Sequence, residues 1–238
     1  MHITPDSIIY WQSGPVRISA TLVFTWVVMA ILVLGSWLVT RRLTTDIQLS
    51  RGQNLLEIIV NGIREQIRDV TLQDPDRYLP FIGTLFLFIA VSNVLSIVPG
   101  FSPPTGSLST TAALALCVFV TVPIYGIADR GLVEFLKSYV QPNVLLLPFN
   151  ILGELTRTVA LAVRLFGNVM SGSMVGAILL AIAPFFFPIV MNALGLLIGL
   201  IQAYIFSILS LVFIASATRA QQERQIAEAS IVKEETNG

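Results

Sequence analysis

The sequence predicts an all-α integral membrane protein of about five transmembrane helices with one interfacial amphipathic helix, forming a single membrane domain over residues 1–238. Three observations predict it. Of 238 residues, 55% are hydrophobic and only 12% charged, against about 25% charged in an ordinary soluble domain. The mean hydropathy is +0.81. Apolar runs of about 20 residues, the length that crosses a hydrocarbon core of about 30 Å, recur along the chain.

The first span is Ala20 to Thr40. No basic stretch precedes it and it is too long for the apolar core of a signal peptide, so it is expected to stay as a membrane anchor. Residues 51–71 carry Leu56, Ile59, Ile63, Ile67 and Val70 at helical spacing, with Glu57, Arg64, Glu65 and Arg68 on the other faces. That pattern fits a helix lying in the membrane interface; a linker helix packed on a soluble partner is the other reading. Two spans, Leu79 to Val98 and Thr111 to Ala128, fill residues 79–128. Beyond them Gly131 to Tyr139 reads as a short surface helix, and Pro142 and Pro148 interrupt the chain.

The last two spans, Asn150 to Ala183 and Pro188 to Thr218, form a long hairpin over residues 150–218, hinged at Pro184-Phe185-Phe186-Phe187-Pro188. At about 34 and 31 residues they measure roughly 50 and 46 Å, so they must tilt, bend or run obliquely. The polar tail, residues 219–238, reads as a helical extension. No internal repeat is visible.

Basic residues set the expected orientation. Arg41, Arg42, Arg51, Arg64, Arg68 and Arg77 follow the first span, Arg130 and Lys137 the third, and Arg219, Arg224 and Lys233 the fifth. These segments are expected on the cytoplasmic side. The Phe101-Ser102-Pro103-Pro104-Thr105-Gly106 loop and the Phe-rich hinge carry no basic residue and are expected outside with the N-terminus.

Composition also excludes functions. The formal net charge of zero gives no basic excess for nucleic acid. One cysteine, Cys117, and one histidine, His2, leave no material for a disulfide framework, a zinc site or histidine-dependent catalysis. The phosphate-cradling G-x-x-x-x-G-K-[ST] pattern is missing, so nucleotide chemistry is expected on other chains. No catalytic residue, metal or cofactor is expected here.

Arg164, in Val163-Arg164-Leu165-Phe166-Gly167-Asn168, lies near the middle of the fourth span. It is roughly 20 Å from the nearer end, too far to snorkel. A central Arg costs about 2.5–3.5 kcal/mol on insertion scales, so it requires a partner or water. The functional reading gives this charge a working role in the membrane; the bland one is an Arg paired inside a static bundle to fix packing. Asn150, Glu154, Arg157, Leu161, Arg164, Asn168 and Ser171 fall near one stripe of the helix. Glu154 can pair with Arg157, or simply complement the helix dipole after an Asn150 cap. On the fifth span Asn192, Gly195, Gly199, Gln202 and Phe206 share a face. Gly172 and Gly176, and Gly195 and Gly199, form small-xxx-small patterns expected to pack antiparallel neighbours. The Gln202 amide needs partners, and Arg164 offers donors that its carbonyl can accept.

The run Arg164-Leu165-Phe166-Gly167-Asn168, the later Gln202-Ala203-Tyr204-Ile205-Phe206, and Ser92-Asn93 before Pro99-Gly100-Phe101 resemble, in order, the membrane subunit a of rotary F-type ATP synthases. The resemblance covers roughly Tyr78 to Ala217. It implies two long tilted helices curved around a rotor ring of c subunits, with a b-type peripheral stalk, the F1 ATPase sector and membrane lipid as partners, in a bacterial inner membrane. It also implies two offset half-channels that meet at Arg164, a fixed charge that favours the ionised form of a ring carboxylate and blocks a direct leak. Asn168 and Gln202 would orient Arg164. The chain departs from the family where an acid usually follows the glycine, here Gly172-Ser173, and where His or Glu usually lies seven residues before the glutamine, here Gly195. The outer path is therefore expected to use water with Ser173, Asn192 and Tyr204, or to admit sodium. A stand-alone transporter would show repeat symmetry, which is missing. A membrane enzyme would show paired carboxylates or an activated nucleophile, and none stands out.

Overall fold

The computed structural model describes residues 9–13, 16–41, 51–71, 74–98, 100–131, 147–182 and 187–236. Six α-helices make up the described architecture: α1 (Ala20–Thr40), α2 (Arg51–Thr71), α3 (Leu79–Leu95), α4 (Leu108–Arg130), α5 (Leu147–Ile182) and α6 (Phe187–Thr236). Single 3-10 turns, Pro75–Arg77 and Pro104–Gly106, precede α3 and α4. The expected surface helix after Gly131 lies outside the described residues, as does the hinge up to Phe186.

Four helices are long and apolar enough to cross a membrane, over Ala20–Thr40, Leu108–Ala128, Ile151–Leu179 and Ile189–Ser216. The remaining expected span is α3, which at 17 residues stands at the short end of the crossing range. Its run ends early because Ser96, Ile97 and Val98 leave the helix in turns. The helical membrane architecture is as expected, with one short addition at its start. An antiparallel hairpin of β1 (Ile9–Ser13) and β2 (Val16–Ser19) leads into α1. Ile9, Tyr10, Trp11, Val16 and Ile18 are strand-favouring types, and nine residues are too few to register as a membrane span.

The two long helices run on beyond their apolar spans: α5 has 36 residues, and α6 has 50 because it includes the helical extension expected after Thr218. Their apolar stretches of 29 and 28 residues measure roughly 43 Å, and fit a hydrocarbon core of about 30 Å when the helices run obliquely. Helix α6 does not stop at Thr218, because no Pro or Gly interrupts Ala215 to Thr236. By contrast, α4 ends at Gly131, whose φ of 79° suits glycine and whose N–H bonds the Ile127 carbonyl at 2.8 Å.

Helix α3 packs mainly on α6, and α4 mainly on α5. The main core joins Leu85, Phe88 and Ile89 of α3 with Val118 of α4, Leu161 and Leu165 of α5, and Phe206 of α6. Buried hydroxyls do not disturb it. Ser92, Ser207 and Ser210 each donate to the carbonyl four residues earlier, at 2.6, 2.9 and 2.7 Å, which satisfies them without water.

Helix α2 turns its apolar stripe onto the bundle. Ile67 is fully buried with Tyr78, Ile82, Val122, Leu211 and Ile214, and Ile63 and Val70 pack against this second cluster. The stripe thus finds its cover on α3, α4 and α6 of the same chain, while Leu55 and Ile58 remain exposed. A clasp closes this end. Arg64 Nη2 meets Asp76 Oδ1 at 2.8 Å, the Tyr125 hydroxyl donates to the Arg77 carbonyl at 3.0 Å, and Tyr78 stacks on Tyr125 with centroids 5.4 Å apart.

Glycine spacing behaves differently from expectation. Of the four spaced glycines only Gly199 makes a close approach, and its neighbour is α3: an added Cβ would lie 2.7–3.0 Å from Asn93 side-chain atoms. The same Cβ at Gly172, Gly176 or Gly195 would meet nothing within 4 Å, so the packing expected of those three is not made within the described chain. Overpacking a tight contact costs about 1–3 kcal/mol. Gly199→Ala should therefore lower the thermal midpoint of detergent-solubilised protein by several degrees, and Gly195→Ala should leave it unchanged.

Candidate functional site

Charge is nearly eliminated from the apolar spans. Between Leu147 and Ser216 the chain has one acid, Glu154, and two bases, Arg157 and Arg164; residues 20–40 and 79–128 have none. Glu154 is ten residues from Arg164, roughly 15 Å along the helix. One guanidinium is therefore left without a formal counter-charge in the membrane part of the chain.

The expected polar stripe of α5 runs along the border of its buried face. Leu161 and the neighbouring Leu165 are buried, Glu154 and Asn168 are half-buried, and Arg157, Arg164 and Ser171 are exposed. Leu165, next to Arg164, is 0% exposed and anchors the helix in the core. That anchor fixes the direction of Arg164 outward, because successive residues step about 100° around the helix. Arg157 carries its guanidinium carbon 5.7 Å from the centre of the Phe213 ring on α6, a cation–π arrangement.

Arg164 lies seven residues from Arg157, on the same stripe, and so on the edge of α5 that borders α6. Counting equal steps along the antiparallel pair from the Arg157–Phe213 contact places Arg164 at the level of Phe206, and Asn168 at the level of Gln202. Among the described residues Arg164 makes no hydrogen bond, ion pair or ring contact. The expected Arg164–Gln202 bond is not made. Gln202 is one turn further along and faces inward, 5% exposed, with Nε2 buried and without a partner among the described residues.

Beside Arg164 the surface is apolar. Val159, Val163 and Ile178 of α5, and Leu194, Ile201 and Val212 of α6, are exposed and recur at steps that keep them on one face of each helix. The face continues past Gly167, one turn beyond Val163, where there is no side chain to project. Ser173 is exposed and bonds the Met170 carbonyl at 2.8 Å. Asn192 and Gly195 are exposed too, while Gly199, Gln202 and Phe206 on the same nominal stripe are buried. The α6 stripe thus passes from the surface into the bundle along its length.

Two positions went unremarked as site residues. Asn93, quoted only as part of a motif, donates Nδ2 to the Ile89 carbonyl at 2.9 Å and to the Gly199 carbonyl at 3.1 Å. A carboxamide inside a span was the available signal. Gln66 accepts from the Tyr204 hydroxyl at 2.7 Å, a pairing that no spacing rule links across 138 residues.

A fixed cation favours the ionised state of any acid that comes within a few ångströms of it. The inward amide can be separated from stability. A buried donor without an acceptor is destabilising, and an apolar residue of similar shape removes that cost. Gln202→Met should leave the thermal midpoint in detergent unchanged or raise it. Phe206→Ala on the same face should lower it, by the equivalent of about 3–5 kcal/mol.

The profile of the family described as ATP synthase A chain matches residues 22–215. ATP synthase subunit a 2 of Acaryochloris marina is 62% identical over 222 residues, covering 93% of this chain and 95% of that one. ATP synthase subunit a of Albidiferax ferrireducens is 60% identical over 224 residues, covering 94% and 97%. ATP synthase subunit a 1 of Chlorobaculum parvum is 60% identical over 223 residues, covering 94% and 99%. Agreement of this extent, with the apolar helices just described, shows that the chain belongs to the ATP synthase A chain family, whose members are membrane subunits of ATP synthases.

Proposed function

We propose that the chain is the stationary ion-translocating wall of the Fo sector, against which a ring of c subunits turns. One observation carries this reading: Arg164 stands at the edge of the apolar α5–α6 face, and Glu154, the one acid of the spans, lies ten residues from it. Apolar surface of this kind suits lipid or a sliding helical partner, and a guanidinium within it suits only a partner that brings an acid.

In this reading a ring carboxylate arrives neutral, carrying its ion, and ionises beside Arg164 because opposite charge favours the anion. The ion leaves by one half-channel, and the emptied carboxylate reloads from the other. Arg164 keeps its own proton throughout, so it bars passage without relaying it. Asn168 and the inward Gln202 supply neutral dipoles at the next turn. Ser173 and Asn192, both exposed, line the outer path where the family usually places ionisable groups. Glu154 and Arg157 border the opposite path. Each charge moved across 100 mV releases about 2.3 kcal/mol, so several ions are needed per ATP formed on the F1 sector.

The b-type stalk holds this chain against the torque. The orientation is N-terminus outside and C-terminus cytoplasmic in a bacterial inner membrane, following the basic segments that flank the spans. A sodium-coupled version of the same machine is the second reading, favoured by the neutral side chains of the outer path.

ATP-driven ion uptake by inverted vesicles tests the assignment. Arg164→Ala should abolish uptake in complexes shown to be fully assembled, and normal uptake would refute the proposal. Proton uptake unchanged across sodium concentrations would reject sodium coupling, whereas sodium uptake without proton uptake would establish it.

A further inference from the structure

Two hydrogen bonds tie α6 to other helices on either side of Gln202. Three residues before it, the Gly199 carbonyl accepts from Asn93 Nδ2 of α3 at 3.1 Å. Two residues after it, the Tyr204 hydroxyl donates to Gln66 Oε1 of α2 at 2.7 Å. Neither partner helix carries Arg164, and α2 is a helix for which the proposed ion path has no other use.

The rotation of α6 about its own axis needs such ties. A helix with one polar face is held in rotation by its pattern. Around α6 the exposed Leu194, Leu197 and Ile201 are as apolar as the buried Phe206, Leu211 and Ile214. Turning the helix exchanges one apolar surface for another, and in lipid this exchange has little driving force. Hydrogen bonds, unlike apolar contacts, are directional. Gly199 and Tyr204 are five residues apart, hence about 140° apart around the axis. A single bond would allow a swing about its own contact, whereas two at that angle to two different helices do not. The Asn93 tie is also sterically keyed, since only a residue without a Cβ fits where Asn93 side-chain atoms would come within 2.7–3.0 Å.

We propose that Gln66, acting through Tyr204, is a positioning residue for ion translocation. Together with the Asn93–Gly199 contact it clamps α6 in the rotational setting that turns Gln202 inward at the level of Asn168 and keeps Ile201 on the open face. A slip of one residue, about 100° of rotation, would put Ile201 or Ala203 where the amide belongs. The proposal rests on the reading of the α5–α6 face as the ion-translocating surface.

The test uses intact complexes in inverted vesicles. The exposed native thiol is first removed by Cys117→Ser. In that background Gln66→Leu, Tyr204→Phe and their combination are compared for ATP-driven ion uptake. The conservative Gln66→Glu, which keeps an acceptor oxygen, is the rescue. Rotation is read separately by N-ethylmaleimide labelling of Ala203→Cys, a position that is 0% exposed.

Each single variant should lower uptake about threefold, the scale of one interhelical hydrogen bond in a membrane protein. The double variant should be no lower than either single, because both remove the same bond. Gln66→Glu should retain uptake, and labelling at position 203 should rise in Gln66→Leu and in Tyr204→Phe. Uptake at the intact rate in both singles, multiplied losses in the double, or lost uptake with unchanged labelling would overturn the clamp. Arg164→Ala run alongside separates the two levels. If it pumps normally, the surface itself has been misread. If it fails to pump while the α2 variants pump and label as the intact chain does, the clamp alone is wrong.

Discussion

The structure depends on a guanidinium held on an apolar surface that supplies it with no counter-charge. Arg164 cannot lose its proton, and Leu165 beside it is locked into the core, so the charge can neither be neutralised nor turned inward. Arg157, one stripe position away, has a ring of its own chain to sit over. Arg164 has no such contact among the described residues. The only acid between Leu147 and Ser216 is Glu154, so the proposed reading takes an acid for Arg164 from another chain.

The rest of the bundle holds that surface in place with few polar contacts. Apolar packing of α3 and α4 against the backs of α5 and α6 gives proximity but little direction. Hydroxyls in the core bond their own helices and leave no interhelical reach. Direction comes from a handful of contacts: Asn93 on Gly199, Gln66 on Tyr204, and the Arg64–Asp76 and Tyr125–Arg77 clasp at the α2 end. Because the front of α5 and α6 is open and mostly apolar, with few polar side chains, a partner can slide past it while breaking few specific bonds. Stiffness behind and smoothness in front are the two mechanical demands of a stator.

Much of this was legible in the sequence because lipid enforces simple rules. The spans α1 and α4, the amphipathic stripe of α2 and the excess length of α5 and α6 follow from hydropathy and period alone. Arg164 was legible because a charge in a span has few explanations. The helical net also placed Glu154, Arg157, Arg164 and Asn168 on one stripe, but it gives relative angles, not which neighbour covers which edge. It could not show that Leu161 and Leu165 take the inner side and leave Arg164 outside. For the same reason Gln202 was paired with Arg164 when the two lie a turn apart, and four glycines were given one role although only Gly199 meets a neighbour. The N-terminal hairpin was hidden by its shortness, and α3 was expected from its apolar run but ends at Leu95, three residues before the expected Val98. Contacts between remote segments, such as Gln66 with Tyr204, leave no periodic trace.

The claim that the partner of Arg164 comes from the rotor is tested most directly by a photo-reactive amino acid at Val163, the exposed neighbour of Arg164 on the open face. Irradiation of the intact complex should yield an adduct with the ring subunit, on the helix that carries its ion-binding carboxylate. Adducts with lipid alone, or with a different stationary subunit, would contradict the account, because the uncompensated charge would then face something that brings it no acid.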